Sequence, residues 1–290
     1  HLFTNTLVDL SLDNFKKSML QINYQKVSND NYLKLFDLQS PLLLDDNSVL
    51  ESKIQFDLEH ESYDLTTSFE MYETLSGSNS DRFQYVLPSY DFSKNFSLNN
   101  IDGSFNFNSY GNNTLTDTNV VTSSVSNDLI YSALNNFFDN GIKTNFEIAL
   151  KNINTIGKNN PTYKNSPQSE LMSAYTYNVS LPLIKENSKT FNTLEPKLSL
   201  KFSPHEMKNK SNESRRIDVN NIFSSNRLSL GDSFESGESI TLGLNFKKEK
   251  INADNKIDKI EEYIEFKLAS AFRLDEEKNI PTNSTLNKKN

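Results

Sequence analysis

Leu194, Leu198, Leu200 and Phe202 alternate with Glu195, Lys197, Ser199 and Lys201. After a long polar stretch, Ile240, Leu242, Leu244 and Phe246 alternate with Ser239, Thr241, Gly243 and Asn245. A period of two places an apolar stripe on one face of a strand and a polar stripe on the other. The same pattern recurs along the chain. Ile54, Phe56 and Leu58 alternate with Gln55, Asp57 and Glu59. Phe146, Ile148 and Leu150 stand against Asn145, Glu147 and Lys151. Ile264, Phe266, Leu268 and Phe272 stand against Glu265, Lys267 and Arg273. The pattern predicts about twelve strands, at residues 4–12, 17–26, 50–59, 62–74, 82–93, 96–109, 117–135, 141–153, 170–185, 191–203, 237–250 and 258–273. The least regular is 117–135, where NDLIYSALNNFF also admits a helical turn. The preceding VVTSSV and the hairpin signal Asp139-Asn140-Gly141 favour strand.

Short turns, such as Lys94–Asn95, alternate with longer polar loops at 27–49, 76–81, 154–169 and 204–236. The run Leu42–Leu44 inside the first long loop reads as a small buried plug or simply as a packed loop. Globular strands average about 5–6 residues, whereas membrane-spanning ones need about 9–11. Many of the strands here run to roughly 10–14 residues. Long two-faced strands with short turns on one side and long loops on the other predict an all-β, antiparallel, up-and-down transmembrane β-barrel. A soluble β-sandwich or a secreted β-rich adhesin would share the alternation. Pro88, Pro182 and Pro196 fall within strand patterns, where the missing N–H marks a strand end, a bulge or an edge.

Composition fits this picture. Only 35% of the 290 residues are hydrophobic, and mean hydropathy is -0.62. No run approaches a spanning helix, but a barrel strand is apolar only at every second position. The net charge of -8, with Lys and Arg interspersed, argues against nucleic acid as a partner. There is no cysteine for disulfides or thiolate metal sites. Both ends read as cut from something larger, so 1–290 is expected to be part of a barrel domain.

Several stretches resemble the barrel domain of the LptD (OstA/Imp) family of lipopolysaccharide-assembly outer-membrane proteins. They are RFQYVLPSYDF at 82–92, LPL at 181–183, LEPKLSLKFSP at 194–204 and DVNNIFSSNRLSLGDSFESGESITLG at 218–243. The family pattern of a surface loop with Asp…Phe-x-x-x-Arg, then Asp-x-x-Glu-x-Gly, falls on Asp218, Phe223, Arg227, Asp232, Glu235 and Gly237. The chain departs from it at Leu230-Gly231 and at Ser233, where the family often has a basic residue. The resemblance implies a barrel of about 26 strands, of which this segment supplies about twelve. It also implies an N-terminal jelly-roll outside the segment and lipopolysaccharide as cargo. The partners it implies are an LptE-like plug lipoprotein, periplasmic bridge proteins acting through the jelly-roll, the barrel-assembly machinery and membrane lipid. The expected location is the bacterial outer membrane.

No catalytic constellation is visible. His1, His60 and His205 are far apart and have no ligand-spaced partners, so neither a metal nor a cofactor is expected. An outer-membrane hydrolase with a spatially assembled Ser–His pair, a porin or a receptor are the other barrel readings. If the apolar stripe faces lipid, then Asp57, Glu59, Glu147, Lys151, Glu195, Lys197, Lys201, Lys247, Glu265 and Lys267 point into the lumen, with Gln55, Asn145 and Arg273. Opposite charges on adjacent strands are expected to pair across the ladder. Asp218, Phe223, Arg227, Asp232, Glu235 and Gly237, with Arg215 and Arg216, are expected to build a salt-bridged surface-loop lid.

Overall fold

A computed structural model describes residues 1–36, 48–76, 81–187, 190–252, 259–284 and 286. Among them are β1 (Leu2–Asp9), β2 (Lys17–Lys26), α1 (Tyr32–Leu35), β3 (Val49–Glu59), β4 (Tyr63–Thr74), β5 (Phe83–Leu98), β6 (Ile101–Thr116) and β7 (Val120–Ser132). There follow β8 (Asn136–Phe137), β9 (Lys143–Lys158), β10 (Gln168–Ser180), β11 (Leu183–Asn187), β12 (Thr190–Ser203), β13 (Gly237–Asn252) and β14 (Lys259–Arg273). The strands make an antiparallel sheet in which spatial order follows chain order. Twelve of them form the main path, with β8 attached to β9 and β11 to β12. The fold is therefore all-β and up-and-down, and the long strands match the alternation in number. The Leu42–Leu44 run lies outside the described residues.

Several boundaries differ from the sequence expectation. The turn predicted at Lys94–Asn95 lies instead at Asn99–Asn100, between β5 and β6. Phe92 and Phe96 share one face while Ser93, Asn95 and Ser97 hold the other, so the two-faced pattern runs on past the expected turn. The stretch 170–185 is not one strand. It breaks at Leu181–Pro182 into β10 and β11, both of which pair with β12. Pro196 is not a strand end but stands in β12 opposite Leu244 of β13. The gap between β10 and β11 falls where Ser180 pairs with Lys197 and Leu183 with Leu194. Thus Pro182 and Pro196, both without a donor, share one interruption of the ladder. At Pro88 the register between β4 and β5 shifts, as a missing N–H favours.

The described residues fall into two compact units. In the unit formed by His1–Phe96, Asn106–Leu129 and Asn152–Leu171, the apolar stripe is the exposed one, with Ile22, Tyr24, Ile54 and Phe69 open. Ser18, Gln25, Ser68 and Glu73 are buried there. A small cluster of Val27, Leu33, Leu50 and Leu75 seats α1, with Phe3 and Tyr32 against it.

In the unit formed by Ser97–Phe105, Ile130–Lys151 and Met172–Asn290, the inversion is stronger. Phe146, Tyr175, Tyr177, Leu200, Leu242, Phe266 and Leu268 are exposed. Thr176, Ser199, Lys201, Ser239 and Thr241, of opposite parity on the same strands, are buried. Large exposed apolar surface is costly in water and is the natural outer face of a strand set in lipid.

Candidate functional site

The loop 204–236 lies on the polar face of the second unit and carries its own core. Met207, Ile217, Ile222, Leu228 and Leu230 of the loop pack with Ala271 of β14 and with Ile280 and Leu286 beyond it. Short polar side chains fold the loop locally, as Asn, Asp and Ser do in turns. The Asp218 carboxylate accepts from the Asn220 amide at 2.8 Å, and Asn226 grips Leu230 at both its N–H and its carbonyl. The segment after β14 covers the loop, with the Lys210 amide donating to Asn279 O at 2.9 Å.

Two glycines set how closely the loop docks. A Cβ on Gly243 of β13 would stand 2.5 Å from Cζ of Phe223, so only glycine admits that ring against the strand. Gly237 starts β13 at a φ of 81°, where a side chain would meet Asp275.

Beside them sits a buried ionic cluster around Glu235. Arg227 donates Nε to Oε2 at 2.7 Å and Nη2 to Oε1 at 2.6 Å, a bidentate pair. Its remaining reach goes to Thr241 Oγ1 at 3.1 Å and Ser239 Oγ at 3.0 Å. Arg273 of β14 donates to the same carboxylate and to Ser236 O, and Lys201 of β12 reaches Oε2 at 3.3 Å. Arg227, Glu235 and Arg273 are only 1–2% exposed. Burial pushes the Glu235 carboxyl up, but Lys201, Arg227 and Arg273 outweigh it and hold the pKa down at about 2. Lys151 of β9 lies with its Nζ 5.5 Å from the centre of the neighbouring Phe234 ring.

The first unit holds a second ionic network. Arg82 donates Nε to Glu73 Oε1 at 2.7 Å and forks onto Asp30 at 2.6 and 2.9 Å. Lys26 meets the other Glu73 oxygen at 3.2 Å. The Arg82 hydrogen bonds hold the Asp30 carboxyl below its ordinary range, against an opposing effect of desolvation.

Six loop residues were expected to act as a lid. Phe223, Arg227, Glu235 and Gly237 converge on the cluster and the two glycine contacts. Asp218 and Asp232 do not. Asp218 caps its own turn, and Asp232 pairs with Lys210 at 2.8 Å. Arg215 pairs with Glu213 at 2.7 Å, and the Arg216 carbonyl accepts from Asn221.

Among the stripe charges, Lys151 and Lys201 lie under the loop. The others mostly pair along one strand rather than across the ladder. Glu195 meets Lys197 at 2.9 Å, Glu265 meets Lys267 at 3.1 Å, and Lys247 meets Glu249 at 2.6 Å. Lys53 and Glu70 do pair across β3 and β4, at 3.8 Å. Asp57 accepts from Gln55 and Thr66, Glu147 accepts from Ser132 at 3.4 Å, and the Glu59 carbonyl accepts from the Lys16 amide.

Sequence reasoning missed Ser239, Thr241 and Gly243 as partners of the loop, and the whole Asp30–Arg82–Glu73 network. Gly243 had a readable signal, as the one glycine within the alternating run of the strand that follows the loop motif. Asp30 and Arg82 lie 52 positions apart, and no pattern links them.

The family model described as LptD, LPS transport system D, matches residues 9–290. No curated protein matches the chain.

Proposed function

We propose a function from one premise: this chain belongs to the LPS transport system D family, and so to lipopolysaccharide transport and assembly at the outer membrane. Residues 1–290 supply part of the wall of a large outer-membrane barrel, with the remaining strands and a periplasmic jelly-roll contributed by other parts of the protein. The observation that supports this most is the inversion of the strands, with Leu200, Leu242 and Phe266 exposed and Ser199, Lys201 and Thr241 buried. The apolar stripe meets membrane lipid. The stripe of Asp57, Glu59, Glu147, Glu195, Lys197, Lys247, Glu265 and Lys267 keeps the lumen wet for a sugar chain. The loop 204–236, pinned by Arg227, Glu235, Arg273 and Lys201, is the fixed lid of that lumen. Lys151 lies beneath it.

The chain lowers no covalent barrier in this reading. It offers a passage, and the energy arrives through periplasmic bridge proteins that meet the jelly-roll. A plug lipoprotein in the lumen and the barrel-assembly machinery are the further partners.

Depletion of the full-length protein in its native cell, followed by location of newly made lipopolysaccharide, tests the reading. Retention at the inner membrane or in the periplasm is expected. Normal display at the surface overturns it.

A further inference from the structure

Below the floor of the loop, the polar face of the second unit opens into a cavity of about 430 Å³. This lies within the usual range of small-ligand sites, about 300–1,000 Å³. Its walls present carboxamides from three strands and the loop: Asn145 of β9, Asn178 of β10, Asn245 of β13 and Asn220. The side-chain oxygens of Asn178 and Asn245 are buried and, among the described residues, accept no hydrogen bond. An acceptor left without a donor is costly, and a ligand bearing hydroxyls removes that cost. Two of the lysines lining the cavity, Lys197 and Lys267, are already paired with Glu195 and Glu265. That pairing suits a hydroxyl-rich unit better than a phosphate. The Phe223 ring, held against Gly243, supplies an apolar surface at the cavity's edge.

We propose that this cavity is a saccharide subsite, in which Asn178 and Asn245 accept from sugar hydroxyls and Asn145 and Asn220 complete the ring of amides. The proposal rests on the export reading for the source of the sugar, the oligosaccharide part of lipopolysaccharide. It adds a place where that chain is held.

The test is calorimetric titration of the full-length protein, purified in detergent with its partner lipoprotein. The probe is delipidated oligosaccharide from the host's own lipopolysaccharide. Two variants are compared with the wild type. One is Asn178→Val combined with Asn245→Val, which removes both acceptors. The other is Asn220→Trp, which fills the cavity from the loop and removes one exposed hydrogen bond, from Lys267 of β14. The double variant is expected to bind at least about tenfold more weakly, as loss of two hydrogen bonds implies, and Asn220→Trp to bind at least as weakly because its ring occupies the site. If the double variant does not fold, Asn220→Trp decides alone. Unchanged affinity in a folded variant, or no binding by the wild type, overturns the proposal. So does loss of the co-purifying lipoprotein with oligosaccharide affinity intact, which would make the cavity a protein-docking surface. Export that depends on the protein while binding ignores these residues sinks this site alone. Binding that depends on them while depletion leaves surface lipopolysaccharide normal sinks the export reading instead.

Discussion

Glu73 in the first unit and Glu235 in the second are each 2% exposed, and each is held by cations from more than one element. The difference is in what lies behind the cations. Arg82 passes from Glu73 to Asp30, whose side chain is 47% exposed, so that network ends in solvent. Arg227 passes from Glu235 to Ser239 and Thr241, both buried, so that cluster is sealed. A network open to water is screened and can rehydrate when broken. A sealed one leaves uncompensated charge in a medium of low polarity. The same residue types thus fasten one region loosely and lock the other.

The sharpest way to break this contrast is Glu235→Gln, which strands Lys201, Arg227 and Arg273 together. A loss of about 3–5 kcal/mol is expected, as for removal of one partner from a buried pair, read from urea unfolding of the full-length protein in lipid vesicles. A change below about 1 kcal/mol would mean that the cluster is not sealed.

The same carboxylate sets an acid limit. Its folded pKa, about 2, lies below its ordinary value of 4.5. Its stabilising effect is therefore complete above pH 4.5 and is lost as pH falls through about 2. Protease nicking of loop 204–236 should rise across that window in the wild type. In Glu235→Gln the rise should have no such pH dependence.

Similar in size to Glu73→Gln is Gly243→Val, which drives a side chain into Phe223. A cost of about 1–3 kcal/mol is expected, and most of it should disappear when Phe223→Ala is added. Simple additivity in that double-mutant cycle would refute the contact.

In the first unit, Glu73→Gln should cost about 1.5–3 kcal/mol, in line with hydrogen bonds to charged groups. Added salt should shrink the difference more than it does for Glu235→Gln. Asp30→Asn should have the smallest effect of all, within the error of the unfolding midpoint. An effect as large as that of Glu73→Gln would show that the open network is as tightly coupled as the sealed one.

The strands were legible because alternation is a local property. Leu198, Leu200 and Phe202 against Lys197, Ser199 and Lys201 state the face of each residue without knowledge of its neighbours. The family motif also brought out Arg227 and Glu235 before their contact was visible. Turns and partners were harder. Asn99–Asn100 and Lys94–Asn95 look alike as turn formers, and the choice between them rests on the register of the paired strands. The division of 170–185 at Pro182 needed Pro196 on the partner strand, which sequence reasoning considered only singly. Arg273 reads as one more stripe charge, and only the fold of the loop brings it to Glu235.

The sealed cluster also acts as a proofreader. Lys201, Arg227, Glu235 and Arg273 come from β12, the loop and β14, and they meet only when β12, β13 and β14 pair with Leu200 against Ile240 and Ile240 against Phe272. A slip of one residue in either strand would turn Lys201 or Arg273 to the opposite face. One cation would then lie against the apolar exterior, and Glu235 would lose it as a partner. Misaligned hairpins are therefore penalised twice, and the correct register is the one in which the loop can close.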